Sequence, residues 1–251
     1  MIQEGKYLYC ITGNNHERNF GPIGIGGRGD EVITVSYNDL GAVISNAPIK
    51  KYPTTRENTI THEKVIEKVM GEEQTLLPVK FGTVAGSAQD VRDVLRKRYR
   101  EFKDILREMD NKVELGVRAL WLDMEKIFSE ILEQREDIKR LRNKTAHRPT
   151  RESMIRVGEL VKDALEKKKK KEANPIVNTL KRISTDFRLN NTFGDKMFLN
   201  AAFLVDRDQE KEFDNEVDTL RAKYEKRMKI IYVGPVPPFN FVNIVIHWEG
   251  G

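Results

Sequence analysis

Residues 113–121, VELGVRALW, alternate without interruption. Val113, Leu115, Val117, Ala119 and Trp121 fall on one face of an extended chain, because successive strand side chains point to opposite sides. A strand this regular must lay its apolar face against something. Helical stripes flank it in the chain. Val91, Val94, Leu95, Phe102, Leu106 and Met109 spell one long amphipathic helix before it. Met124, Ile127, Phe128, Ile131 and Leu132 spell another after it. A sheet with helices on one face buries both kinds of stripe, so the fold class is α+β.

The remaining pattern extends this reading in both directions. Strands are expected at 6–12 (KYLYCIT), 31–37 (EVITVSY) and 40–45 (LGAVIS), the last two joined by Asn38 and Asp39. Thr54 and Glu57 have capping-box spacing behind Pro53, and the helix they start carries His62, Val65, Ile66, Val69 and Met70 on one stripe. Residues 75–84 (TLLPVKFGTV) are expected to run extended, because Pro78 cannot sit inside a helix and disfavours helical geometry at Leu77. Ser87 to Asp90 reads as a further cap. Beyond residue 121, Val157, Leu160, Val161, Ala164 and Leu165 mark a helix, which 175–187 extends past Asn174 and Pro175. A buried strand at 197–205, a helix through Phe213, Val217, Leu220 and Tyr224, and a strand at 229–235 close the series. Starting from 113–121, the order is β-α-β-β-α-β with a helical insertion. The expected division is a first domain at 1–111, a second at 112–234, and a C-terminal tail at 235–251.

At 251 residues the chain has room for one large or two ordinary domains, and 39% apolar residues support real cores. It holds no apolar run near the roughly 18 residues of a membrane helix, and its N-terminus lacks the order of a secretion signal. Cys10 is the single cysteine, which excludes an intrachain disulfide and fits a cytoplasmic location.

Chemical motifs fail one after another. His62 and Glu63 open like a zinc-protease helix, but the second histidine would have to stand where Ile66 is. His62 instead ends an apolar stripe, the place of a packed, hydrogen-bonded histidine. His16, His147 and His247 have no partners at metal spacing. Gly24 to Gly29 match G-x-G-x-x-G by letter, yet a strand follows where a phosphate-facing helix is needed, so a turn-forming loop is expected. No nucleophile elbow, Walker loop or CxxC occurs. Neither a catalytic residue, a metal ligand nor a cofactor-binding residue is assigned.

Two segments suggest binding. The formal charge is only +5, but residues 139–171 hold thirteen Lys/Arg against four Asp/Glu. That stretch is either a solvated helical face or a nucleic-acid-binding module contacting phosphates. Lys80-Phe81-Gly82 echoes an aromatic RNA-binding signature, but base stacking needs aromatics on adjacent strands and only Phe81 is in place. The tail (VGPVPPFNFVNIVIHW, 233–248) stiffens an extended path with three prolines and carries Phe239 and Phe241, to pack internally or to dock on a partner.

Taken together, YLYCIT, GIGG, VSYNDLGAVIS, THEKVIEKVM, LLPVKFGTV, VLRKRYREFKDIL and VELGVRALW resemble gas vesicle proteins of the F and L type, GvpF/GvpL. FLNAAFLV and VGPVPPFNFV continue the resemblance over nearly the whole chain. It implies two ferredoxin-like (βαββαβ-type) domains, the second modified, followed by a C-terminal tail. It implies no catalysis and no cofactor. It implies an accessory or minor structural protein, cytoplasmic and associated with gas vesicles, that contacts the small hydrophobic shell protein and other accessory proteins during assembly. A shell subunit that must face gas exposes apolar surface that aggregates in water, so a transient protein cover has a physical purpose. The expected partner-binding residues are Leu77, Pro78, Val79 and Phe81 in the Pro-interrupted run, with Phe239 and Phe241 in the tail.

Overall fold

The first strand is apolar on both faces, which places it inside a sheet rather than at its edge. In the computed structural model, which describes residues 3–73, 75–146 and 150–248, β1 (Glu4–Thr12) buries Tyr7, Leu8, Tyr9, Cys10 and Ile11. His147 lies outside the described residues. β1 pairs antiparallel with β4 (Leu40–Pro48) and, along its other edge, with β5 (Leu76–Pro78) and β6 (Val84–Ala85). β2 (Asn19–Gly21) and β3 (Val32–Tyr37) extend the sheet to the order β2-β3-β4-β1-β5. Asn38 turns β3 into β4 at φ 53°, a left-handed conformation that asparagine tolerates.

Chain contacts define two units: Met1–Glu114 with Pro235–Gly251, and Leu115–Gly234. In the first, α1 (Arg56–Glu72) buries His62, Val65, Ile66 and Val69. These join Tyr7, Tyr9, Tyr52 and Leu76 in one core. The helix starts one residue later than the spacing predicts. Thr55, not Thr54, accepts from the Asn58 N–H, because the Thr55 N–H is turned back onto the Pro53 carbonyl. Thr55→Ala is expected to lower stability by about 1 kcal/mol, and Thr54→Ala by only a few tenths, in urea titrations. Equal effects would return the cap to Thr54.

The single helix expected after Ser87 is two, α2 (Ala88–Lys97) and α3 (Tyr99–Glu108), broken at Arg98. No Gly or Pro marks the break. Arg98 leaves helical geometry (φ −107°, ψ 21°), donates to the Val245 carbonyl at 2.8 Å, and lies over the Phe102 ring. The order of this unit is thus four strands, α1, two short strands, then α2 and α3. A βαββαβ order would place a helix directly after the first strand.

The second unit is built on the alternating strand β7 (Lys112–Trp121), with β8 (Asp186–Leu189), β9 (Met197–Asp206) and β10 (Met228–Val236) in the order β10-β7-β9-β8. Three helices, α4 (Met124–Gln134), α5 (Glu136–Ala146) and α6 (Arg151–Leu180), separate β7 from β8, and α7 (Glu210–Tyr224) separates β9 from β10. Pro175 lies inside α6 and forfeits one backbone bond; Ala173, Ile176, Val177 and Leu180 are buried around it and hold the helix through. The helical arm expected to reach residue 187 stops at Leu180, passes a 3-10 turn, and becomes β8, which pairs antiparallel with β9.

Candidate functional site

The histidine that ends the α1 stripe is 4% exposed. The Tyr7 hydroxyl lies 3.1 Å from its Nδ1 and accepts the Gly82 N–H at 2.8 Å, so Tyr7 donates its own proton to the imidazole. The Val79 N–H is engaged by the Tyr9 carbonyl at 2.9 Å, which leaves the Val79 carbonyl for the hydrogen bond between that backbone and the ring's other nitrogen. Network geometry thus assigns the Nε2–H tautomer. Burial pushes the His62 pKa down to about 4, against the opposing Val79 hydrogen bond, so the ring is neutral at pH 7.

Tyr7, Tyr9 and Phe81 surround the imidazole with ring centroids 5.5–5.8 Å away. Burial raises the Tyr7 and Tyr9 hydroxyl pKa values, that of Tyr9 to about 12. The Cys10 thiol is likewise buried and pushed up. Each of these shifts moves its group away from neutral pH. The arrangement pins β1, α1 and the 79–82 segment to one another, and its chemistry is that of a scaffold.

The residues expected to bind a partner fall in two layers. Leu77, Pro78 and Val79 are buried. Phe81 and Phe239 are half-buried and pack against the same Tyr7 core, and Phe241 is half-buried in the turn that follows. The tail lies along the first unit: Ile244 bridges Val79 in parallel, and its carbonyl accepts the Lys80 N–H at 3.1 Å. The Asn240 backbone and side-chain amides both donate to Glu114. Burial raises the pKa of that carboxyl, and the two Asn240 bonds oppose the rise. Spacing rules gave no sign of Glu114, whose partner is 126 residues away.

The Gly24–Gly29 loop is a turn, as expected. Gly26, Gly27 and Gly29 take positive φ, and the Ile25 N–H is occupied by the Tyr9 hydroxyl at 2.8 Å. Part of the basic stretch is engaged as well. Lys168 pairs with Glu130 at 2.7 Å and with Glu172 at 3.4 Å. Lys169 is buried and donates to the Gly194 carbonyl. Lys167 pairs with Asp163 on the exposed face, where Lys170 and Lys171 also lie. Sequence reasoning missed the group that organises this region. Arg227 reaches both Glu130 and Glu172, 97 and 55 residues distant. Among the described residues, no group of three or more His, Cys, Asp or Glu is placed to hold a metal ion, and no helix is long and apolar enough to cross a membrane.

Against this geometry the comparisons with known proteins are consistent. A family model described as gas vesicle synthesis protein GvpL/GvpF matches residues 5–243. Gas vesicle protein F1 of Halobacterium salinarum is 29% identical over 99% of this chain and 97% of its own. Gas vesicle protein F of Nostoc sp. is 27% identical over 80% of this chain and 83% of its own. The crystal structure of GvpF from Microcystis aeruginosa superposes with a TM-score of 0.78 at 25% identity, covering 94% of this chain and 98% of that one. The crystal structure of GvpF from Anabaena sp. PCC7120 shares the fold, with a TM-score of 0.79 at 24% identity over 97% and 100% of the two chains.

Proposed function

The chain belongs to the GvpL/GvpF family of gas vesicle synthesis proteins, and from that premise we propose that it binds the small hydrophobic shell protein during gas vesicle assembly, without catalysis. A role in gas vesicle formation comes with the family. The finer reading rests chiefly on one observation, the half-buried Phe81 and Phe239 rings over the His62-pinned core. Leu77, Pro78 and Val79 are buried in the same Pro-interrupted segment as Phe81, and Phe241 follows Phe239 in the tail turn. Such a patch is small, which suits transient cover rather than a permanent interface. Other accessory proteins and a cytoplasmic, vesicle-associated location complete the reading. For the second unit, the strand order β10-β7-β9-β8 with helices after its first and third strands supports a modified ferredoxin-like assignment.

The test is co-purification of the shell protein with the full-length chain and with a Phe81→Ser/Phe239→Ser variant. Retention by the natural chain and about tenfold weaker retention by the variant are expected, the loss of two aromatic anchors. No retention by the natural chain would reject the partner. Equal retention by both would reject the site.

A further inference from the structure

The break between α2 and α3 gathers a second surface in the first unit. Residues 96–100 read RKRYR, and the helix ends abruptly among them. With Tyr37 at the end of β3 they line an open depression of about 510 Å³. Its members are held in place. Arg98 grips Glu101 through two nitrogens, at 2.5 and 2.8 Å, and the Val245 carbonyl through a third. The Tyr99 hydroxyl donates to Asp39, which also accepts from Lys103 at 2.7 Å. Tyr37 and Tyr99 meet edge to face, 6.2 Å between centroids and 77° between planes. Arg96 is exposed and pairs with the half-buried Asp93 at 3.0 Å. Arg100 is exposed and, among the described residues, has no carboxylate partner.

We propose that this Arg/Tyr depression at the α2–α3 corner is a docking site for an acidic segment of a protein partner. Tyrosine and arginine are the residue types that concentrate binding energy at protein interfaces, since both present large, rigid area with a polar end. The guanidinium fork matches a carboxylate in two parallel hydrogen bonds, and Arg100 offers that fork unpaired. Nucleic acid fits the surface less well. The two tyrosines stand nearly perpendicular and offer no pair of parallel shelves for successive bases. The surface shares no residue with the Phe81 patch and needs no apolar partner.

The probe is a short fluorescein-labelled oligoglutamate, its binding to the full-length chain read by anisotropy at low salt. Arg96→Ala/Arg100→Ala is expected to weaken binding by about tenfold, roughly 1.4 kcal/mol for two exposed forks. Lys170→Ala/Lys171→Ala removes the same charge from exposed α6 positions and is expected to change it by less than about twofold. All four positions are exposed, and unchanged thermal midpoints confirm intact folds. Three results would overturn the proposal: no saturable binding of the oligoglutamate, equal losses from the two double variants, or tighter binding of a labelled oligouridylate.

Discussion

Arg227→Ala is expected to lower the stability of the second unit by about 3 kcal/mol, a large share of what a domain of this size possesses. The guanidinium donates four hydrogen bonds to two carboxylates: to Glu130 at 2.9 and 2.8 Å, and to Glu172 at 2.7 and 3.0 Å. The Glu130 and Glu172 side chains are 22% and 15% exposed. Taking these charges out of water is unfavourable, and the fork offsets that cost; an intact partly buried cluster therefore gains little net stability. Deleting its centre is a different operation. It leaves two carboxylates with Lys168 as their shared cation and the Trp121 indole as a further donor to Glu172, and much of the desolvation penalty reappears without its compensation. Arg227→Lys is expected to recover less than half, because an ammonium cannot face both carboxylates in fork geometry.

The sign with pH supports the same account. The Arg227 and Lys168 bonds hold the Glu130 carboxyl at about 2, below the usual carboxylate range. Its contribution is full above the unfolded value near 4.5 and is lost as pH falls toward 2. Trp121 reports on the event, being stacked on Phe198 at 4.9 Å and hydrogen-bonded to Glu172. Urea midpoints from its fluorescence, unchanged between the natural chain and Arg227→Ala, would refute the argument.

The contrast between β7 and β8 shows what a single sequence reveals. Five alternating apolar residues make β7 visible, because each is individually buried and the period is two. β8 (DFRL) lies at the sheet margin, with Arg188 and Leu189 in solvent, so no apolar period survives to mark it. The Arg98 break was invisible for another reason. Residues 91–109 keep a helical period throughout, and the contact at the break comes from a carbonyl 147 residues away. The helix was rightly carried past Pro175, a local breaker overruled by buried neighbours on both sides, but its end at Leu180 was overshot. In the candidate site, His62 was legible as a packed histidine, since it ends an apolar stripe. That its partners are Tyr7 and Val79 was not, because pairing between β1 and the 76–85 strands sets those distances and no local spacing encodes it.

That same histidine makes the first unit acid-sensitive. With its pKa near 4 in the folded chain and about 6.5 when unfolded, the unfolded state binds the proton more readily. Stability from this group is complete above pH 6.5 and declines as pH falls through the window down to 4. The full difference is about 3 kcal/mol, an upper value for one imidazole. Glu114 acts with the opposite sign, since a raised carboxyl pKa favours the folded state at low pH, so the total slope does not isolate His62. A substitution does. His62→Gln keeps a side chain able to accept from Tyr7 and donate to Val79 but cannot be protonated in this range. It is expected to be less stable than the natural chain at pH 7.5, through imperfect packing, and to lose less stability on going to pH 4.5. The difference between the two chains should therefore narrow by about 2–3 kcal/mol as pH falls, read from urea midpoints with a probe in the first unit. Parallel pH profiles would mean that the imidazole is already reached by water, and the pinned core beneath Phe81 and Phe239 would lose its physical basis.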